Sequence, residues 1–187
     1  MDSLQFLNPE YVNFDENKYT LLLGVNKNTI DWNALSTMAQ KNGFDQKDEI
    51  HITIIGFAAG GEIRKVLERP GVERDNTLRD LHSLIDKTDW RFKLEPKRYH
   101  IQKEYIIRDR RGNAADSVEH RESYIQMVSV PALEDFFAEL NRPLGINFIP
   151  PPTHVTLYTH GDNPERARMG IGINSREEFL SLNPQPL

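Results

Sequence analysis

Apolar residues along this chain fall into short runs, and the spacing inside each run separates strands from helices. Residues 19–25, Tyr19-Thr20-Leu21-Leu22-Leu23-Gly24-Val25, are closed by the polar Asn26-Lys27-Asn28 and predict a buried strand. Asp31 stands where a helix cap is wanted, ahead of Trp32, Leu35, Met38 and Ala39 at helical spacing, and Asn42-Gly43 ends that helix. Residues 50–57 predict a second strand. Helical spacing returns through Ile63, Val66 and Leu67, breaks at Pro70-Gly71, and resumes through Leu78, Leu81, Leu84 and Ile85.

In the second half, residues 90–94 and 99–107 read as extended, with Pro96 as a turn between them and a charged loop after them. Residues 123–130 alternate as a strand does, and Pro131 opens a helix carrying Leu133, Phe136, Phe137 and Leu140. Pro150-Pro151-Pro152 feeds a strand at 153–159, residues 169–173 predict a last short strand, and Ser175 caps a turn. Residues 1–17 are polar and aperiodic, a leader or strap, and 181–187 form a loose tail. No long internal repeat occurs. Paired strands with interspersed helices predict one α+β domain over 1–187 with a mostly antiparallel sheet.

Two of the strands share a pattern that carries chemistry. His51-Ile52-Thr53-Ile54 and His154-Val155-Thr156-Leu157 each place a histidine and a threonine two apart between apolar residues. Side chains alternate along a strand, so Ile52 and Ile54 enter the core while His51 and Thr53 share the other face. Val155 and Leu157 likewise point inward, leaving His154, Thr156 and Tyr158 on one face. The two copies sit 103 residues apart, slightly over half the chain, as two similar halves would place them. One neutral imidazole can take a proton from an attacking hydroxyl or water while a second, protonated one gives a proton to the departing oxygen. The threonine hydroxyls can hold the non-bridging oxygens of a phosphoryl group between them. Such chemistry needs neither metal nor cofactor.

Composition narrows the setting. At 187 residues and 21.7 kDa the chain suits one domain, and 38% hydrophobic against 27% charged residues is enough to fold it. A net charge of −5 argues against a protein that coats nucleic acid non-specifically, while leaving room for a local anion site. Cysteine is absent, which removes disulfides, thiol nucleophiles and cysteine-ligated zinc. No apolar run reaches the length of a membrane span, and Met1-Asp2-Ser3-Leu4-Gln5 lacks the basic and apolar segments of a secretory signal. The expectation is a cytoplasmic monomer with no membrane contact.

On His51, Thr53, His154 and Thr156, with their flanking apolar pattern, the chain resembles the 2H phosphoesterase superfamily, which includes RNA 2′,3′-cyclic phosphodiesterases (also called 2′-5′ RNA ligases). The resemblance follows the strand–helix–strand order loosely over residues 18–174. It implies a bilobal α+β fold, two mostly antiparallel sheets around a central cleft with helices outside. It also implies that the histidines are acid and base, with His154 the base and His51 the acid, and that Thr53 and Thr156 bind phosphate. The two arms are nearly symmetric, so the residues themselves leave that order open. Residues 1–17 and 108–122 match nothing in the pattern.

The expected activity is metal-independent hydrolysis of a nucleotide or RNA 2′,3′-cyclic phosphate, or a related phosphodiester. Two alternatives keep the same residues: a hydrolase of cyclic oligonucleotide signals, and a catalytically idle nucleotide- or RNA-binding module. Tyr158 is a candidate stacking surface or phosphate donor, its counterpart in the first arm being apolar. Tyr124 and Gln126 share a strand face and suit either base contact or core packing. Arg108, Arg110 and Arg111 suit a phosphate grip or a solvated loop. Gly60-Gly61 ahead of a helix can aim N–H groups at an anion. His160 reads as a strand-end residue, and His82, His100 and His120 have no partner at a recognisable spacing, so a zinc site is not expected.

Overall fold

The computed structural model describes residues 5–108 and 114–187. Its strands are β1 (Val12–Asp15), β2 (Thr20–Gly24), β3 (Asp45–Gln46), β4 (His51–Ile55), β5 (Lys93–Arg108), β6 (Ala114–Ser129), β7 (His154–Gly161) and β8 (Gln185–Pro186). All eight join in one continuous sheet ordered β1-β2-β4-β7-β6-β5-β8, with β3 adding to β7, and every pairing is antiparallel. The helices are α1 (Asn33–Lys41), α2 (Phe57–Leu67), α3 (Arg74–Lys87), α4 (Leu133–Leu144), α5 (Pro164–Ala167) and α6 (Arg176–Ser181). Among the described residues no helix is long and apolar enough to cross a membrane.

The bilobal expectation, two sheets around a central cleft, is overturned. The strands bearing the two His-x-Thr patterns are direct neighbours, paired at Ile52 opposite Val155, and they fuse the two halves into one sheet. Apolar alternation cannot reveal this in advance, because a half-buried strand suits a cleft wall and a sheet centre equally well.

Helices α1–α4 all pack on one face. Their apolar stripes (Leu35 and Ala39, Ile63 and Val66, Leu81 and Ile85, Phe136 and Phe137) close over Leu21, Leu23, Ile52, Ile54 and Val155 to form the main core. The opposite face carries a much smaller core in which Ile101 and Ile125 meet Ile171 and Ile173, backed by Phe179 of α6. One side of the sheet is therefore sealed by helices, and the other is only partly covered.

Several local expectations shift. Trp32 occupies the cap position of α1 without a side-chain bond, so Asp31 is not the cap. Pro96 does not separate two extended segments; it lies inside β5, at the irregularity between Leu94 and Arg98 where a missing N–H breaks no ladder bond. Residues 169–173 form no strand, and their alternation reflects Ile171 and Ile173 buried on the sheet. The leader contributes β1 and a bridge from Leu7 to Phe92, while the tail pairs with β5 through β8. Ser175 caps α6 by accepting from the Glu178 N–H. Of the charged loop, Arg110 and Arg111 lie outside the described residues, as does the side chain of Arg108.

Gly60-Gly61 belongs to the interior of α2, not to a loop ahead of it. A Cβ on Gly60 would lie 2.3 Å from the Lys18 carbonyl oxygen and 2.8 Å from that of Tyr19, so the glycine lets α2 press onto the β1–β2 turn. Helix propensity alone would make Gly60→Ala stabilising by about 1 kcal/mol. Because both clashing atoms are backbone, the variant is expected to lose about 1–3 kcal/mol instead, read from urea unfolding of the two proteins.

Candidate active site

The pairing of Ile52 with Val155 fixes the neighbours on either side. His51 stands opposite Thr156 and Thr53 opposite His154, all four on the face away from the main core. The burial patterns agree, since Ile52 and Val155 are fully buried while His51, Thr53, His154 and Thr156 remain partly exposed. Directly opposed positions in such a ladder lie about 5 Å apart and diagonal ones about 7–8 Å apart, which puts the two histidines on the diagonal of a small square and the two threonines on the other.

Neighbouring strands extend the pattern into two rows. Gly24 of β2 pairs with His51, and Leu22 with Thr53. On the far side Ile125 of β6 pairs with Thr156, and Met127 with His154. The segment after α5 lies along this edge: Gly170, with φ of 74°, comes so close that a Cβ there would sit 3.2 Å from the Thr156 Oγ1. Asn174 reaches Gly56, whose Cβ position is also 3.6 Å from the Thr53 methyl. The 170–174 segment thus bounds the square beside Thr156 and Thr53.

Tyr158 does not join it. In β7 the register against β6 shifts between the Tyr124–Tyr158 and Ile125–Thr156 pairs, which leaves Leu157 as an extra residue. That bulge reverses the alternation, so Tyr158 falls on the helix-packed face. There it is buried, packs edge-on against Trp32 at 5.8 Å, and its hydroxyl lies 3.5 Å from the Trp32 carbonyl oxygen. Tyr124 goes with it, stacked on Phe44 at 4.1 Å, and Gln126 donates to the Glu95 carbonyl. Strict alternation in the sequence cannot anticipate a one-residue bulge.

A second irregularity supplies charge. β3 and β4 both pair with β7, but the register slips by three residues between Gln46–Tyr158 and Ile52–Val155. The surplus chain loops outward just before His51 and brings Lys47 and Glu49 to it. Lys47 donates to the Arg168 carbonyl at 2.5 Å, and Tyr11 donates its hydroxyl to Glu49 at 2.5 Å.

The two imidazoles are electrostatically unusual. Burial is the main reason His51 is held below the ordinary imidazole value; the Lys47 charge lowers it further and Glu49 partly offsets that. Burial also lowers His154, a backbone contact at Pro152 works the other way, and the charge on His51 lowers it again. A proton on one ring therefore disfavours a proton on the other. Among the described residues the buried Nδ1 of His51 has no hydrogen-bond partner, whereas His154 Nδ1 lies 3.4 Å from the Pro152 carbonyl oxygen. The remaining histidines are engaged elsewhere: His82 with Glu16, His100 with Glu122, His120 with Glu104 and His160 with the Gly43 carbonyl. Among the described residues no group of three or more His, Asp or Glu converges as a metal site requires.

No family model, no curated protein and no solved structure matches the chain.

Two outcomes test this description. Both histidines have folded-state values below the unfolded 6.5, so the unfolded chain binds more protons as the solution is acidified. Their contribution to stability is complete above about pH 6.5 and is lost as the pH falls through the lowered values; His51→Gln with His154→Gln should flatten that part of a urea-derived stability profile. Gly170→Ala adds a Cβ at positive φ and pushes on Thr156, so circular dichroism melting should show a loss of about 1 kcal/mol.

Proposed function

We propose that the His51–Thr53–His154–Thr156 square is the active site of a metal-independent phosphodiesterase that opens a nucleotide or RNA 2′,3′-cyclic phosphate. The observation that supports this reading best is the register of Ile52 with Val155. It sets the two imidazoles on one diagonal of the square and puts beside each a threonine from the other arm.

In the reaction, water attacks phosphorus in line with one ribose oxygen. The neutral ring accepts the proton that water loses as the new P–O bond forms. The old P–O bond breaks, its electrons stay with the ribose oxygen, and the protonated ring donates to that oxygen. One water is consumed, a phosphomonoester results, and the two rings end with their protonation states exchanged. Thr53 and Thr156 donate to the equatorial oxygens as charge builds there. Mutual repulsion between the rings serves this cycle, because it keeps them from being protonated together.

A substrate phosphodiester is itself an anion. Its arrival raises the affinity of the nearer imidazole for a proton, so the acid is charged when substrate is bound. Burial alone would leave both rings neutral at pH 7.

Turnover of nucleoside 2′,3′-cyclic phosphates, with and without chelator, tests the proposal. Hydrolysis unaffected by chelator is expected, and His51→Ala or His154→Ala should each lower kcat by about 10²–10⁴-fold. Thr53→Val or Thr156→Val should cost less, about ten- to a hundredfold. The pH profile of kcat/KM should be bell-shaped with its maximum below 6.5, because both limbs belong to imidazoles held under that value. Full activity in His51→Ala would end the proposal. Ligand binding with no turnover would make the square a binding site only.

A further inference from the structure

The row of the sheet that holds His51 and Thr156 continues past β4 to a glycine and an aromatic ring. Gly24 is the cross-strand partner of His51, so the direction its side chain would take is the direction of the His51 ring. That space is filled by Tyr11. A Cβ built on Gly24 would lie 2.3, 2.4 and 2.7 Å from the Cε1, Cδ1 and Cζ of Tyr11. The ring therefore rests flat enough on bare backbone to occupy the position next to His51, about one strand spacing (roughly 5 Å) away.

Three features fix it there. Backbone bonds run from Gly24 N to Tyr11 O and from Glu10 N to Gly24 O, which hold the residue against β2. The phenol hydroxyl donates to Glu49, in the loop leading into His51. Burial, and then that carboxylate, push the phenol up to about 12, so the ring stays uncharged throughout the working range. Despite these ties the residue is 36% exposed. The ring is thus a neutral aromatic surface, partly open to solvent and one strand from His51.

We propose that Tyr11 is the platform on which the nucleobase of the substrate stacks, making the site selective for base-bearing phosphates over bare ones; this rests on the reading of the square as a phosphoryl site. With phosphorus between His51 and His154, the ribose rises away from the sheet and the base lies on the outer face of the Tyr11 ring, the inner face being against Gly24. Gly24 matters because it leaves the ring room to lie on the sheet. Stacking is tolerant of base identity, so the selectivity is for a base, not for one base.

The experiment compares binding of adenosine 2′-monophosphate with binding of inorganic phosphate by isothermal titration, so that no turnover is needed. The wild-type protein should prefer the nucleotide by about ten- to a hundredfold. In Tyr11→Leu, which keeps an apolar group on Gly24 but removes the π face, the preference should fall to within about threefold, whereas Tyr11→Trp should retain it. Gly24→Ala is the sharper test. Gly24 does not have a positive φ, so alanine fits its backbone, but the new methyl must displace the tip of Tyr11 and should abolish the preference with the tyrosine still present. Melting curves establish that each variant is folded. If the nucleotide preference survives both Tyr11→Leu and Gly24→Ala, the platform is elsewhere and the phosphoryl site stands. If phosphate and nucleotide both bind but His51→Ala and His154→Ala alter neither, the phosphoryl reading falls, and the platform with it. Absence of binding by either ligand overturns both.

Discussion

One residue pair, Ile52 opposite Val155, carries much of this structure. It is the point where the β1-β2-β4 part of the sheet meets the β7-β6-β5-β8 part, and both residues are fully buried in the main core. Burial of two β-branched side chains on the helix side anchors the seam. The strand alternation then dictates what appears on the other side, and a slip of a single residue would exchange the histidines for isoleucine and valine. The core and the square are thus two consequences of the same register.

Much of this was legible in the chain. His51, Thr53, His154 and Thr156 share a face because period-two alternation holds over the first three residues of each strand, and the structure keeps that alternation there. It fails two residues later. Leu157 bulges, and Tyr158, by simple counting a neighbour of His154, turns to the opposite side and packs on Trp32. Nothing in Thr156-Leu157-Tyr158 marks a bulge, because the extra residue is apolar and both faces there are buried. The number of sheets was illegible for a related reason. Residues 50–57 and residues 153–159 each read as strands with one apolar side, and no local feature says that they pair with one another.

The N-terminal region shows the opposite failure. Its polar, aperiodic character hid β1, an edge strand of four residues with little to bury, and it gave Tyr11 no distinguishing context. The signal lay in a relation between distant positions: a glycine inside an otherwise apolar strand marks the close approach of something else. Here that something is an aromatic ring. Gly60 is a second case, admitting a helix rather than a ring.

The seam also bears on how the molecule comes into being. Ile52 and Val155 are separated by about a hundred residues, and the β5–β6 hairpin and α4 must be accommodated between them before they can meet. Closing so long a loop is entropically costly and slow compared with forming the hairpin, whose contacts are local. A chain emerging from the ribosome can assemble its first helices and strands early, yet the diagonal of imidazoles has no second corner until His154 has been added. The square and the seam that joins the two parts of the sheet therefore form together, late in the growth of the chain.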